Sequence, residues 1–249
     1  DPVLATAAAI AGGMAAGWVT GVLHTKLKIP GLLSGILSMI ALYSINIRIM
    51  GKANITLLKS DTVFTGISAL GITGQWVVML VGAGLTAAVI FFLYWFFGTE
   101  LGCAIRATGD NEKMARAQGI NTDTMKLMGL MLSNGLVAFS GALIAQNQRY
   151  ADITMGQGAI VIGLASVIIG EVLFDRGGFL RRFFSMALGA VIYRIIIAFV
   201  IELGMQPTDL RLFTAITVAA ALSIPNIQGK AITLFRPRRV SAGCAVQSK

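Results

Sequence analysis

The chain has 249 residues and a mass of 26.2 kDa; 56% of its residues are apolar, only 12% are charged, the formal net charge is +9 and the mean hydropathy is +0.79. A soluble domain carries about 25% charged residues to cover its surface, so an ordinary soluble enzyme is excluded; disorder, which needs low hydrophobicity, is excluded too. The basic residues lie between apolar stretches instead of gathering on one face, which argues against nucleic acid and for a polytopic membrane protein.

In chain order, the apolar segments long enough to span a bilayer, near the required length of about 20 residues, are 3–23, 31–50, 76–97, 124–146, 158–174, 184–203 and 210–228. The chain begins at Asp1 with no basic region ahead of its first apolar stretch, Val3 to Leu23, which is too long for a signal-peptide core. Gly12, Gly13 and Gly17, with Ala15 and Ala16, place small residues on this span, as Gly129, Gly135 and Gly141 do on the fourth. Small residues let helix backbones approach closely, so packing is the first reading and a direct transport role the second. Pro30 and Gly31 mark the entry to the second span. Segment 62–75 is too short and polar to cross, leaving a half-helix at the outer mouth or a plain loop. Segment 158–174, rich in glycine and isoleucine, is the weakest span and suits part of a broken helix. No internal repeat or linker divides the chain, so one domain is expected over 1–249.

Positive charge fixes the expected orientation. With the 98–123 loop and the 229–249 tail inside, Lys26, Lys28, Arg106, Lys113, Arg116, Lys126, Arg176, Arg181, Arg182, Lys230, Arg236, Arg238, Arg239 and Lys249 are cytoplasmic. Only Arg48, Lys52, Lys59, Arg149 and Arg211 fall outside, where Arg48 and Arg149 are placed to meet an external partner. The expectation is a multi-pass protein of the cell membrane, surrounded by lipid, with its C-terminus in the cytoplasm.

Catalytic and metal chemistry finds little to stand on. Cys103 and Cys244 are far apart, and His24 has no Cys or His nearby, so no metal site is expected. His24 fits a helix end at the interface. No phosphate loop of the form G-x-x-x-x-G-K-[ST] occurs around Gly51-Lys52 or Gly229-Lys230. No cofactor and no enzymatic activity are expected of this chain.

The most informative stretch is 98–123, GTELGCAIRATGDNEKMARAQGINTD, where acids and bases balance between two spans. Asp110 or Asn111 is suited to cap a helix from Glu112 to Gln118, with Glu112 favourable at its positive end and Gly119 as the stop. So short a helix is marginal in water and calls for a surface to lie against. The residues alone leave a docking element and a solvated loop helix equally open.

The pattern Gly109-x-Asn111-Glu112-x-x-Ala115-x-x-x-Gly119-Ile120, followed by Ser133-Asn134-Gly135 and Ser140-Gly141-Ala142, resembles membrane subunits of ABC importers. The family it is similar to is the branched-chain amino-acid/ribose-type permeases, and segment 30–54 resembles an amino-acid branch that includes tryptophan-linked members. The resemblance covers essentially the whole chain. It implies an all-α transmembrane bundle, with a further span ahead of Asp1 because such permeases usually begin with one more. It also implies a permease homodimer, two ABC ATPase subunits and an extracytoplasmic solute-binding protein. The coupling helix that docks onto the ATPase then falls on Gly109, Asp110, Asn111, Glu112, Ala115, Arg116, Gly119 and Ile120.

Polar groups inside spans are expensive and therefore candidates for the pathway. Ser133, Asn134 and Ser140, with Gln146 and Asn147, line the fourth span, where interhelical bonding competes with solute contact. Arg194, mid-way along its span, is expected to pair with Glu171 or Glu202, to line the pathway, or to reach for an interface. The leading reading is an importer permease passing a small solute, an amino acid by resemblance, with a sugar or nucleoside also open. The alternative is an ATP-independent secondary transporter or channel, disfavoured because Glu171 and Glu202 are the only acids within the spans and both lie near span ends.

Overall fold

The computed structural model describes residues 1–58, 62–63, 75–156, 159–174 and 179–202. The expected span 210–228, the basic tail, Cys244 and most of segment 62–75 lie outside the described residues. The chain forms two compact units, Asp1–Gln157 and a second beginning at Gly158.

The first unit opens with helix α1, Pro2–Thr25, whose proline at the first helical position lacks only an N–H that would be orphaned there anyway. A tight turn follows, with Lys28 in the left-handed region at φ 55°, and leads through Pro30 into α2, Gly31–Met50. Gly51 ends α2 at φ 67°, a conformation glycine adopts without the Cβ clash of other residues, and its N–H reaches Ile47 O at 2.9 Å. Strand β1, Asn54–Thr56, comes next. Helix α3 is Gln75–Gly98, α4 Glu100–Asp110, α5 Glu112–Ala117 and α6 Thr122–Gln148. Strand β2, Tyr150–Asp152, then pairs antiparallel with β1, Ile55 opposite Ala151. In the second unit α7 is Ala159–Phe174 and α8 Phe179–Glu202.

Among the described residues, five helices are long and apolar enough to cross a membrane: Pro2–Thr25, Gly31–Met50, Val78–Gly98, Thr122–Gln148 and Leu180–Phe199. They coincide within a few residues with five of the expected spans. The fifth expected span, 158–174, is α7, which has only 16 residues, about 24 Å of helix against a hydrocarbon core of about 30 Å. Two features were not legible in the sequence: α4, which makes the loop between spans doubly helical, and the small β1–β2 ladder.

Leu32, Ile49 and Phe91 are each more than 70% exposed. Such apolar faces belong in lipid, and the helices instead meet through small and polar residues. On α1, Gly13, Gly17 and Gly21 recur every fourth residue and press onto α6. A methyl group at Gly17 would lie 2.6 Å from Leu130 O and 2.8 Å from Met131 Cα; at Gly13 it would lie 2.6 Å from Asn134 O. Gly135 answers from α6 against Met14 of α1. The expected small-residue faces are thus corrected in detail: Gly12 and Gly141 face open space, while Gly21, not anticipated, is at the contact. The second unit repeats the device with Gly170 of α7 and Gly189 of α8, and Ser185 donates to Gly170 O at 2.6 Å. Ala165 and Tyr193 are buried beside that crossing.

Hydrogen bonds tie the rest of the first unit. Thr20 on α1 donates to Ser38 on α2 at 2.7 Å, both buried. At the other end of α1, Gln146 of α6 donates to Thr6 at 2.8 Å and accepts from Val63 N at 3.1 Å. Gln146 therefore bridges helices, as its place in a span suggested.

Candidate functional site

The α3–α6 connection turns twice. Thr99 caps α4, accepting from Gly102 N at 3.3 Å, and Gly102 sits so close to the Phe96 and Phe97 backbone that a Cβ there has no room. Asn111 then ends α4 and starts α5, its side chain accepting from Met114 N at 3.1 Å. Gly119, at φ 81°, closes α5 by turning the chain away; Asn121 caps α6 through Thr124 N at 3.3 Å. The short helix expected here is present as Glu112–Ala117, with Asn111 and not Asp110 as its cap.

Glu112 holds α5 to the base of α6. Lys126 Nζ lies 2.7 Å from Glu112 Oε2, and Arg116 Nη2 lies 3.2 Å from Glu112 Oε1. Thr122, itself buried, donates to Glu112 Oε1 at 3.4 Å and accepts from Arg116 Nη2 at 2.8 Å; Asp123 adds a longer contact to Arg116 at 3.7 Å. The hydrogen bond from Lys126, then the charges of Lys126 and Arg116, hold the Glu112 carboxyl below its ordinary range despite partial desolvation. Exposed ion pairs contribute little energy individually, so the cluster serves chiefly to fix the position of α5.

The motif divides into two faces. Ala115 is fully buried, and Glu112 and Ile120 are half-buried. Gly109, Asp110, Asn111, Arg116 and Gly119 are exposed, joined by Lys113, Met114 and Gln118. Ala115 by its burial and Glu112 by its ion pairs therefore anchor the helix. Sequence reasoning missed Lys126, Thr122 and Met114. Only the Glu112–Arg116 pair, one helical turn apart, had a readable spacing. A cavity of about 440 Å³ adjoins the cluster, lined by His24, Lys28, Ile29 and Pro30 of the α1–α2 turn with Glu112, Arg116, Asp123 and Lys126. His24 Nδ1 donates to Ile29 O at 2.8 Å, placing it at the helix end as expected.

The intramembrane candidates are scattered. Asn134 faces α1, but its amide donates to Leu130 O in its own helix at 2.9 Å; Ser133 and Ser140 are exposed on α6. In the second unit Glu171 pairs with Arg182 at 3.3 Å, and Arg194 is exposed with no carboxylate in ion-pair range among the described residues. The expected pairing of Arg194 with Glu171 is thus not formed, because Arg182, at the start of α8, is the cation nearer that carboxylate.

Residues 2–221 match the model of the branched-chain amino acid transport system permease component. This chain belongs to that family. It is 44% identical over 228 residues to a protein of Clostridioides difficile (strain R20291) named as a tyrosine transport system permease, covering 91% of this chain and 74% of that one. An uncharacterized protein of Rickettsia prowazekii (strain Madrid E) is 31% identical over 87% of this chain and 76% of its own length. The autoinducer 2 import system permease LsrC of Yersinia pestis is 27% identical over 64% of this chain and 44% of its own length. No solved structure matches. The chain is accordingly a permease component of a transport system and a multi-pass membrane protein.

Proposed function

We propose that this permease imports an amino acid, driven by a separate ATPase, and receives its solute from an external binding protein. The observation that carries the reading is the α5 helix, capped by Asn111, stopped at Gly119 and anchored inward by Ala115 and Glu112. Its outer face, Lys113, Met114 and Gln118, is left to meet another protein, with Gly109, Asp110, Asn111, Arg116, Gly119 and Ile120 shaping the docking element. Met114 is 48% exposed on an otherwise polar helix, which suits an apolar anchor in a partner's pocket. ATP binding in a partner shifts the transporter between states only through a contact that differs between them. In this reading the permease is a homodimer, its C-terminus is cytoplasmic, and Ser133, Asn134, Ser140 and Arg194 are the polar candidates along the pathway. The 44% relative named for tyrosine transport supports an amino acid over the sugar and nucleoside alternatives.

Met114→Glu tests the docking face without touching the anchor. The variant should insert and fold normally yet lose most co-purifying ATPase, and uptake should fall at least about tenfold, as expected for a central contact residue. Undiminished uptake and ATPase recovery would move docking to another loop, with 175–183 and its Arg176, Arg181 and Arg182 the next to test.

A further inference from the structure

We infer that the cavity between the α1–α2 turn and the α5–α6 junction is a binding site for the phosphoryl head group of an anionic membrane lipid. Three lines converge on it. The first is charge: Lys28, Arg116 and Lys126 line the cavity against Glu112 and Asp123, an excess of one positive charge, and both acids are already engaged by Arg116 and Lys126. Lys28 has no ion pair among the described residues and is exposed, so its ammonium is available to a ligand. The second is backbone conformation. Lys28 occupies the left-handed region at φ 55°, where glycine or asparagine is the comfortable residue. The turn is closed by Ile29 N donating to Leu23 O at 3.3 Å and by His24 Nδ1 donating to Ile29 O at 2.8 Å, which holds Lys28 at the cavity.

The third line is depth. The cavity is built from the last turn of spanning helix α1, the entry to α2 and the first turn of α6, with His24, Pro30 and Asp123 as the respective markers. Where three spans end together, the bilayer presents its head groups, whichever side of the membrane this is. Basic pockets between spanning helices at that level hold anionic head groups. A volume of about 440 Å³ is in the range of small-ligand sites and accommodates a glycerophosphate. The shared chemistry is a phosphate monoanion or diester; free phosphate is the other source, and the depth favours lipid. The inference does not depend on α5 docking to an ATPase.

The test uses the purified full chain in neutral detergent, with binding of phosphatidylglycerol and phosphatidylcholine read by native mass spectrometry and thermal shift. Phosphatidylglycerol should bind preferentially; Lys28→Gln should weaken it about fivefold, the effect of one basic residue at a charged surface, and Lys28→Arg should restore it. Both variants keep the same backbone demand and leave the Glu112 cluster intact, so folding is not at issue. Competition by millimolar inorganic phosphate with equal stabilisation by phosphate alone would overturn the lipid assignment in favour of a soluble anion. Equal binding of the two lipids, or phosphatidylglycerol binding indifferent to Lys28, would overturn the site itself.

Discussion

Glu112 is the residue whose role changes most between sequence and structure. Read along the chain it is a helix-start acid; in space it receives Lys126, Arg116 and Thr122 at once. Its carboxyl is held below its ordinary value of 4.5, so folding is favoured by its ionised form. The folded value lies below the unfolded one. The stabilisation is therefore complete above about pH 4.5 and is lost as pH falls through the folded value. Glu112→Gln should accordingly speed amide exchange in α5 by about two- to fivefold at pH 7, the scale of an exposed ion-pair network. At a pH well below the folded value, wild type and variant should exchange alike once intrinsic rates are divided out. A difference equally large at both pH values would mean that packing of Ala115, and not the ion pairs, positions the helix.

At the scale of elements, the glycines decide which helices touch. Gly17→Ala places a methyl group 2.6 Å from Leu130 O and 2.8 Å from Met131 Cα, and neither backbone atom can swing aside. The strain should cost about 1–3 kcal/mol, measured as a lower midpoint in denaturant titration of the detergent-solubilised protein. Gly141→Ala meets open space and should be neutral or stabilising by up to about 1 kcal/mol through helix propensity. Equal effects at the two positions would refute the close α1–α6 crossing. The same contrast shows what was legible. Five spans could be read because hydropathy over about 20 residues reports length directly, and the α5 cap and stop because Asn111 and Gly119 act locally. Which glycine faces a neighbour could not, since α1 carries Gly12, Gly13, Gly17 and Gly21 and only the partner helix selects among them. Likewise Lys126 meets Glu112 through the turn at Gly119 and Ile120, a separation with no sequence period.

Across the first unit, the spanning helices hold two unlike ends apart. One end carries the α1–α2 turn, α4, α5 and the start of α6, and with them Lys26, Lys28, Arg106, Lys113, Arg116 and Lys126. The other carries the β1–β2 ladder between the ends of α2 and α6, with Arg48, Lys52 and Arg149. The ladder holds those two chain ends together, Leu57 N reaching Arg149 O at 2.8 Å. The positive-inside rule predicts a cytoplasmic location for the first end, which the proposed docking of α5 onto an ATPase requires. Cys103, exposed on α4, is a natural reporter of that end, and Thr56, exposed on β1, of the other. With Cys244 replaced by serine, an impermeant maleimide should modify Cys103 in inverted vesicles and not in intact cells. With both native cysteines replaced, Thr56→Cys should react in intact cells. The paired design matters, because one unreactive cysteine can be shielded by a partner, whereas two opposite patterns cannot both arise from shielding. Labelling of Cys103 from outside would invert the bundle and remove α5 from the ATPase altogether.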